Sequence, residues 1–308
     1  MDFLYLLESI RFPALDKLML LVTHLGEETA FLVIALIVFW CVDKYHGYYL
    51  LGVGLFGNLA NQFMKITCRI PRPWVRDPDF TVVEAAKAEA GGYSFPSGHT
   101  QTAVGTFGAI GATQKCKWLR ATCIVLAVLT AFSRMYLGVH TTADVLVGAA
   151  MALILVFALR PVMLGKNKGL IPVAFGIMLL LSGGFLAYLQ WYPFPADLDA
   201  HNYESAVKNA YTFLGCFAGV LVVYGVDEAK LHFDTKAVWW AQILKAVLGL
   251  GVVLLVKEGL RSPLEAIFQG HMTARAVRYF LIVVAAGVLW PLSFRWFAKL
   301  GQKKEKAS

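Results

Sequence analysis

Charge is scarce in this 308-residue chain: Asp, Glu, Lys and Arg make up 16% of it, against about 25% in soluble domains. So few charges cannot clothe a water-facing surface, which argues against a soluble globular protein. Cysteine is sparse as well. Cys41, Cys68, Cys116, Cys123 and Cys216 lie mostly inside apolar runs without a C-x-x-C pair, so neither a disulfide framework nor a zinc site is suggested. The amino terminus lacks a basic stretch followed by a small-residue cleavage site, and no removable signal peptide is expected. No internal repeat is evident. The formal charge of +8 is spread over short loops and a tail, where a nucleic-acid surface would need a basic patch on a soluble domain.

Apolar residues are abundant instead, at 58% of the chain. A helix spanning a bilayer needs about 20 mainly apolar residues, and nine stretches qualify: 27–42, 47–66, 97–113, 118–137, 143–159, 170–190, 206–226, 238–256 and 275–297. The expected fold is all-α, a polytopic membrane helical bundle of about nine transmembrane helices. Before them, Phe3, Leu4, Leu6, Leu7, Ile10, Leu15, Leu18, Met19 and Val22 leave Glu8, Asp16 and Lys17 to one side, the pattern of amphipathic helices lying on a membrane surface. The organisation read from this pattern is an interfacial segment over 1–26, a core over 27–165 and a transmembrane extension over 166–308. Lys245 falls inside an apolar segment, where charge is costly, yet near enough to one end to snorkel.

With nine spans, alternate loops fall on opposite sides. One side collects fourteen basic and five acidic residues, the other thirteen basic and fifteen acidic. The first is cytoplasmic by the positive-inside rule. Between Pro73 and Pro96 runs an alanine-rich VVEAAKAEA stretch closed by Gly91 and Gly92, which predicts a short surface helix, either a lid or a plain connector.

Three polar patterns stand out at helix ends, all on the non-cytoplasmic side: KITCRIPRP at 65–73, PSGH at 96–99 and SRMYLGVHTTAD at 133–144. Lys65, Arg72 and Arg134 are cations suited to phosphate oxygens. His99 and His140 can exchange protons or attack, and Asp144, one helical turn beyond His140, can reach its ring. Ser97 and Gly98 open a spanning helix, where unpaired N–H groups and the helix dipole attract anions. Blander readings accompany each of these. Thr141 and Asp144 form a T-x-x-D capping pair, the cations reach headgroups by snorkelling, and Ser97 caps a helix. For Arg69 and Arg76 snorkelling or a secondary substrate contact is the preferred reading.

The spacings K-x6-R-P, P-S-G-H and S-R-x5-H-x3-D resemble the three signature motifs of the type 2 phosphatidic acid phosphatase superfamily, over roughly residues 12–160. Eleven fixed residues in the right order, each at a background of about one in twenty, do not arise by chance. The resemblance implies a helical bundle with the motifs at one membrane face and a metal-independent reaction through a phosphohistidine. It makes His140 the nucleophile, His99 the acid and base, Asp144 the group that orients His140, and Lys65, Arg72, Ser97, Gly98 and Arg134 the phosphate binders. No cofactor or metal is implied. The implied partners are a lipid phosphate and the surrounding membrane lipids.

Four more apolar segments follow where small bacterial members of that superfamily would stop. This half, including 245–251, Arg278, Tyr279 and 290–294, looks like the C-terminal half of sphingosine-1-phosphate phosphatases and offers either a substrate wall or a homodimer surface. One departure is Gly98, where those eukaryotic proteins usually carry threonine and bacterial ones glycine. A single-chain lipid phosphate is therefore the preferred substrate. Undecaprenyl pyrophosphate, phosphatidate and phosphatidylglycerophosphate remain alternatives, and a lipid-phosphate transporter and a zinc hydrolase are rivals of other classes.

Overall fold

The computed structural model describes residues 1–196 and 198–300, and among these every regular element is helical. The α-helices are α1 (Asp2–Ser9), α2 (Pro13–Thr23), α3 (Glu28–Ile37), α4 (Lys44–Cys68), α5 (Pro73–Arg76), α6 (Glu84–Glu89), α7 (Gly98–Thr113), α8 (Lys117–Tyr136), α9 (Thr142–Leu164), α10 (Leu170–Trp191), α11 (Ala200–Val226), α12 (Trp239–Gly259), α13 (Arg261–Ile267), α14 (Thr273–Val284) and α15 (Phe294–Lys299). The all-α membrane bundle expected from the sequence is what forms. The helix in the 73–96 loop is α6, and Gly92 beyond it takes φ +75°, a conformation that side-chain-bearing residues avoid.

The count of nine spans is not reached. Among the described residues six helices are long and apolar enough to cross a membrane, or seven if Pro13–Gly26 and Glu28–Val42, bent by 52°, make one broken span. The two stretches that fall short, α4 and α7, do so for a physical reason. Residues 100–107 of α7 are all buried, Thr100, Gln101, Thr102 and Thr106 among them, and α4 turns Asn58 and Asn61 into the protein. Helices enclosed by protein need no apolar surface for lipid, so hydropathy undercounts them.

The chain divides into two compact units, the first made of residues 1–32, 49–165 and 187–209. Its centre is α7, packed between α8 and α9. Thr102 donates to Asn58 Oδ1 at 3.4 Å, and Asn61 Nδ2 donates to the Pro96 carbonyl at 3.3 Å. The N-terminal helices pack on α8 and turn their polar groups inward. Arg11 donates to the Tyr136 and Thr81 carbonyls, each at 2.8 Å, and the Tyr136 hydroxyl donates to Asp16 at 2.8 Å. Phe3, Leu6, Ile10, Phe12, Leu18 and Leu21 are left exposed. An apolar face outward and a polar face inward suits contact with lipid better than with water.

The second unit comprises residues 33–48, 166–186 and 210–308. Trp40 Nε1 donates to the Ala286 carbonyl at 2.9 Å, and the buried Asp227 carboxylate pairs with Lys44 at 2.6 Å. Lys245 does not snorkel. It is fully buried, donates to the Thr235 carbonyl at 2.9 Å and sits 4.4 Å from the centre of the Phe294 ring. A carbonyl and a π-face together offset the cost of burying the ammonium.

Candidate active site

All eight singled-out residues belong to the first unit, and each sits where a helix begins or ends. Lys65 lies in the last turn of α4, Arg72 just before α5, Ser97 and Gly98 at the start of α7 with His99, Arg134 in the last turn of α8, and His140 and Asp144 at the start of α9. Two local devices hold α7 and α9 together. The Ser97 N–H donates to the Asp144 carbonyl at 3.0 Å. Gly148, one turn further along α9, allows the close approach: a Cβ there would lie 2.7 Å from the Ser97 carbonyl oxygen.

The Ser97 hydroxyl is a helix cap. Thr100 N–H donates to it at 3.4 Å and the Thr100 hydroxyl at 2.9 Å. Gly98 is not crowded, since a Cβ would meet only Asn61 Oδ1, at 3.6 Å. Packing therefore does not demand glycine at this position, and what glycine leaves there is open space beside the helix start.

His140 is buried on every side and its partners define its protonation. Arg72 Nη1 lies 2.9 Å from His140 Nε2. Arginine has no acceptor, so Nε2 must present its lone pair, and the proton of the neutral ring resides on Nδ1. That nitrogen faces Ser94 Oγ at 3.4 Å and Asp144 Oδ2 at 3.5 Å. Burial first, then the positive charges of Arg72, Arg134 and Lys65, hold the His140 pKa well below that of an ordinary histidine, so the ring is neutral at pH 7.

Asp144 does two jobs at once. Its N–H donates to Thr141 Oγ1 at 3.3 Å while its Oδ2 accepts from the Thr141 N–H at 2.7 Å, a complete capping box. The same Oδ2 accepts from the Ser94 hydroxyl at 2.6 Å and faces His140. Capping and orienting are thus compatible uses of one carboxylate, not alternatives.

Arg72 is fixed from several directions. Its Nε donates to the Gly92 carbonyl at 3.0 Å, Nη2 to Gly91 at 2.8 Å and Nη1 to Val139 at 2.9 Å. Burial draws its pKa down to about 10, leaving it cationic at neutral pH. Arg134, equally enclosed, donates to the Thr23 hydroxyl at 2.6 Å. His99 is half-buried at the α7 start. Ser94 and Thr23 are the two groups that sequence reasoning did not single out. Among the described residues no group of three or more His, Cys, Asp or Glu side chains is placed to hold a metal ion.

A neutral imidazole with its Nε2 lone pair turned to the Arg72 guanidinium is equipped to take up a phosphoryl group, and comparison with known proteins points the same way. The PAP2 superfamily profile matches residues 45–168, and a second one, described as the PAP2 superfamily phosphatase transmembrane extension, matches 211–304. Phosphatidylglycerophosphatase B of Bacillus subtilis (strain 168) is 30% identical to this chain over 166 residues, which cover 49% of this chain and 76% of that protein. Comparison with solved structures found no match. The chain belongs to the PAP2 superfamily. It is a multi-pass integral membrane protein and a lipid phosphatase.

Proposed function

We propose that the chain hydrolyses a lipid phosphate monoester, a sphingoid-base phosphate or related single-chain lipid, at the non-cytoplasmic face of its membrane. The lone pair of His140 Nε2 attacks phosphorus, and as the N–P bond forms the P–O bond to the lipid breaks. His99 protonates the departing alkoxide. Water then gives a proton to His99 and attacks the phosphohistidine, the N–P bond breaks, and inorganic phosphate leaves with both rings neutral or protonated as they began. Asp144 holds the Nδ1–H tautomer throughout. Lys65, Arg72 and Arg134, with the Gly98 N–H at the start of α7, take the charge spread over the equatorial oxygens. The Arg72 N–H now directed at Nε2 is the donor an incoming phosphate oxygen would claim. The observation that carries this reading is the His140 ring, with its proton toward Asp144 and its lone pair toward Arg72.

The name of the Bacillus relative favours phosphatidylglycerophosphate as a second candidate substrate, and Gly98 keeps undecaprenyl pyrophosphate as a third. A phosphate-release panel on the purified protein decides among them. A transporter would bind these lipids and release no phosphate.

Vanadate, which adopts the five-coordinate geometry of the transition state, should inhibit at concentrations well below those of phosphate, and activity should persist in EDTA. Loss of activity in EDTA with recovery on adding zinc would move the case to metal-assisted hydrolysis. For the orientation in the membrane, single cysteines placed within 84–92 should react with an impermeant reagent from outside, and cysteines within 302–308, which lie outside the described residues, only from the cytoplasm. Labelling of both from one side refutes the assigned face.

A further inference from the structure

Beside the cations lies a cavity of about 270 Å³ that none of the signature motifs accounts for. It has three walls. Gln62, Lys65 and Ile66 form one, successive positions on a single face of α4. The loop after α6 forms the second with Gly91, Gly92 and Tyr93, and the carbonyls of those two glycines are the ones that hold Arg72. The third is the first three turns of α11, where His201, Asn202, Ser205 and Asn209 recur at helical spacing and turn one polar face to the cavity.

The α11 wall is held in place by rings. Phe63 of α4 meets Tyr188 at 5.3 Å between centroids, Tyr188 meets Phe194 at 5.4 Å, and Phe194 meets Tyr203 at 5.9 Å. The Tyr203 hydroxyl donates to the Leu189 carbonyl at 2.9 Å, and Asp199 caps the helix by accepting from the Asn202 N–H at 2.7 Å. The apolar bodies anchor the turn while the polar face stays turned to the cavity. Among the described residues, the side chains of Gln62, Lys65, Ser205 and Asn209 have no hydrogen-bond partner, so a row of donors and acceptors faces the space unspent.

Chemistry and size narrow what the cavity takes. Lys65 is the one Lys or Arg in its lining, so the rest of the wall suits a hydroxyl or an ammonium rather than a second phosphate. At this volume it admits a few heavy atoms beyond the phosphate and not an acyl chain, since drug-sized pockets start at about 300 Å³. Amide and hydroxyl side chains both donate and accept, which suits a hydroxyl, and their oxygens by themselves suit a protonated amine. We infer that this cavity is a head-group subsite selecting lipid phosphates that carry a free hydroxyl or amine next to the phosphoester carbon. The inference rests on the phosphatase reading above. Lysophosphatidate, sphingoid-base phosphates and phosphatidylglycerophosphate share that feature. Phosphatidate, with its neighbouring oxygen esterified, does not.

The decisive probe is 1-oleoyl-lysophosphatidate against its 2-deoxy analogue, 1-oleoyl-propanediol 3-phosphate, with the full-length protein in mixed micelles. A site built to bond a hydroxyl rejects the analogue lacking it, and the unaltered protein should prefer lysophosphatidate at least tenfold in kcat/KM. Asn202→Ala and Asn209→Leu should each bring that preference below threefold. Because the preference is a ratio within one preparation, it does not depend on how much of a variant folds. Equal turnover of the two lipids by the unaltered protein, or a preference untouched by both substitutions, overturns the subsite. Running phosphatidylglycerophosphate and sphingosine 1-phosphate alongside dioleoyl phosphatidate separates the sources, and phosphatidate as the best of the four overturns it too. Phosphate release from none of these lipids is a different failure: it removes the phosphatase reading, and the subsite with it.

Discussion

Replacing His140 with alanine is expected to cut lipid phosphate turnover by about 10⁴-fold or more, the scale seen when a covalent nucleophile is lost. The alternatives nearby are poor. Ser94 is bonded to Asp144, and His99 starts another helix. The imidazole is buried and its removal leaves Arg72 with three carbonyl partners still in place, so folding should survive. His99→Ala should behave differently, losing about 10² to 10⁴-fold on lipid alkoxides while still forming a phosphoenzyme from esters with good leaving groups. Near-normal phosphate release by the His140 variant, or an acid-labile phosphoryl group trapped on a residue other than His140, would falsify the proposed route.

Asp144→Asn should be nearly as damaging to turnover, about 10² to 10⁴-fold in kcat, while barely changing stability. An asparagine oxygen can still accept from the Thr141 N–H, and Thr141 remains the N-cap residue, so the loss at the helix start should stay under about 1 kcal/mol. The same oxygen position accepts from Ser94 and faces His140, so what the substitution removes is the negative charge opposite Nδ1–H, which steadies the ring as it turns positive when Nε2 bonds to phosphorus. The measurement is kcat beside thermal unfolding. If kcat stays within tenfold of the unaltered protein, Asp144 is a cap and nothing more; if both collapse together, its role is structural.

The motif residues were legible because charge is conspicuous in an oily chain. Lys65, Arg72, Arg134, His99, His140 and Asp144 each sit at a helix end, where burying such groups among lipid-facing residues would have been costly. Ser94 and Thr23 were not legible. A lone hydroxyl carries no compositional signal, and Thr23 reaches Arg134 across 111 positions of sequence. Ser94 did leave a faint one, standing three residues before the capping serine of α7. The sequence count of nine and the six or seven apolar helices of the structure part at α4 and α7, whose polar residues face protein rather than lipid. The α11 face was visible in principle: His201, Asn202, Ser205 and Asn209 repeat with helical period, but they match no motif and the last of them lies inside the 206–226 apolar run.

The carbonyls of Gly91, Gly92 and Val139 that fix Arg72 have a thermodynamic consequence for ligand capture. An arginine side chain free in water has about 2 kcal/mol of rotamer entropy to lose when it settles on an anion. Here that ordering is met during folding, by bonds to the protein's own backbone, before any phosphate arrives. The guanidinium is presented to its ligand already still, so the free energy of the ionic contact goes into holding the phosphoryl group rather than into stiffening the arm that reaches for it.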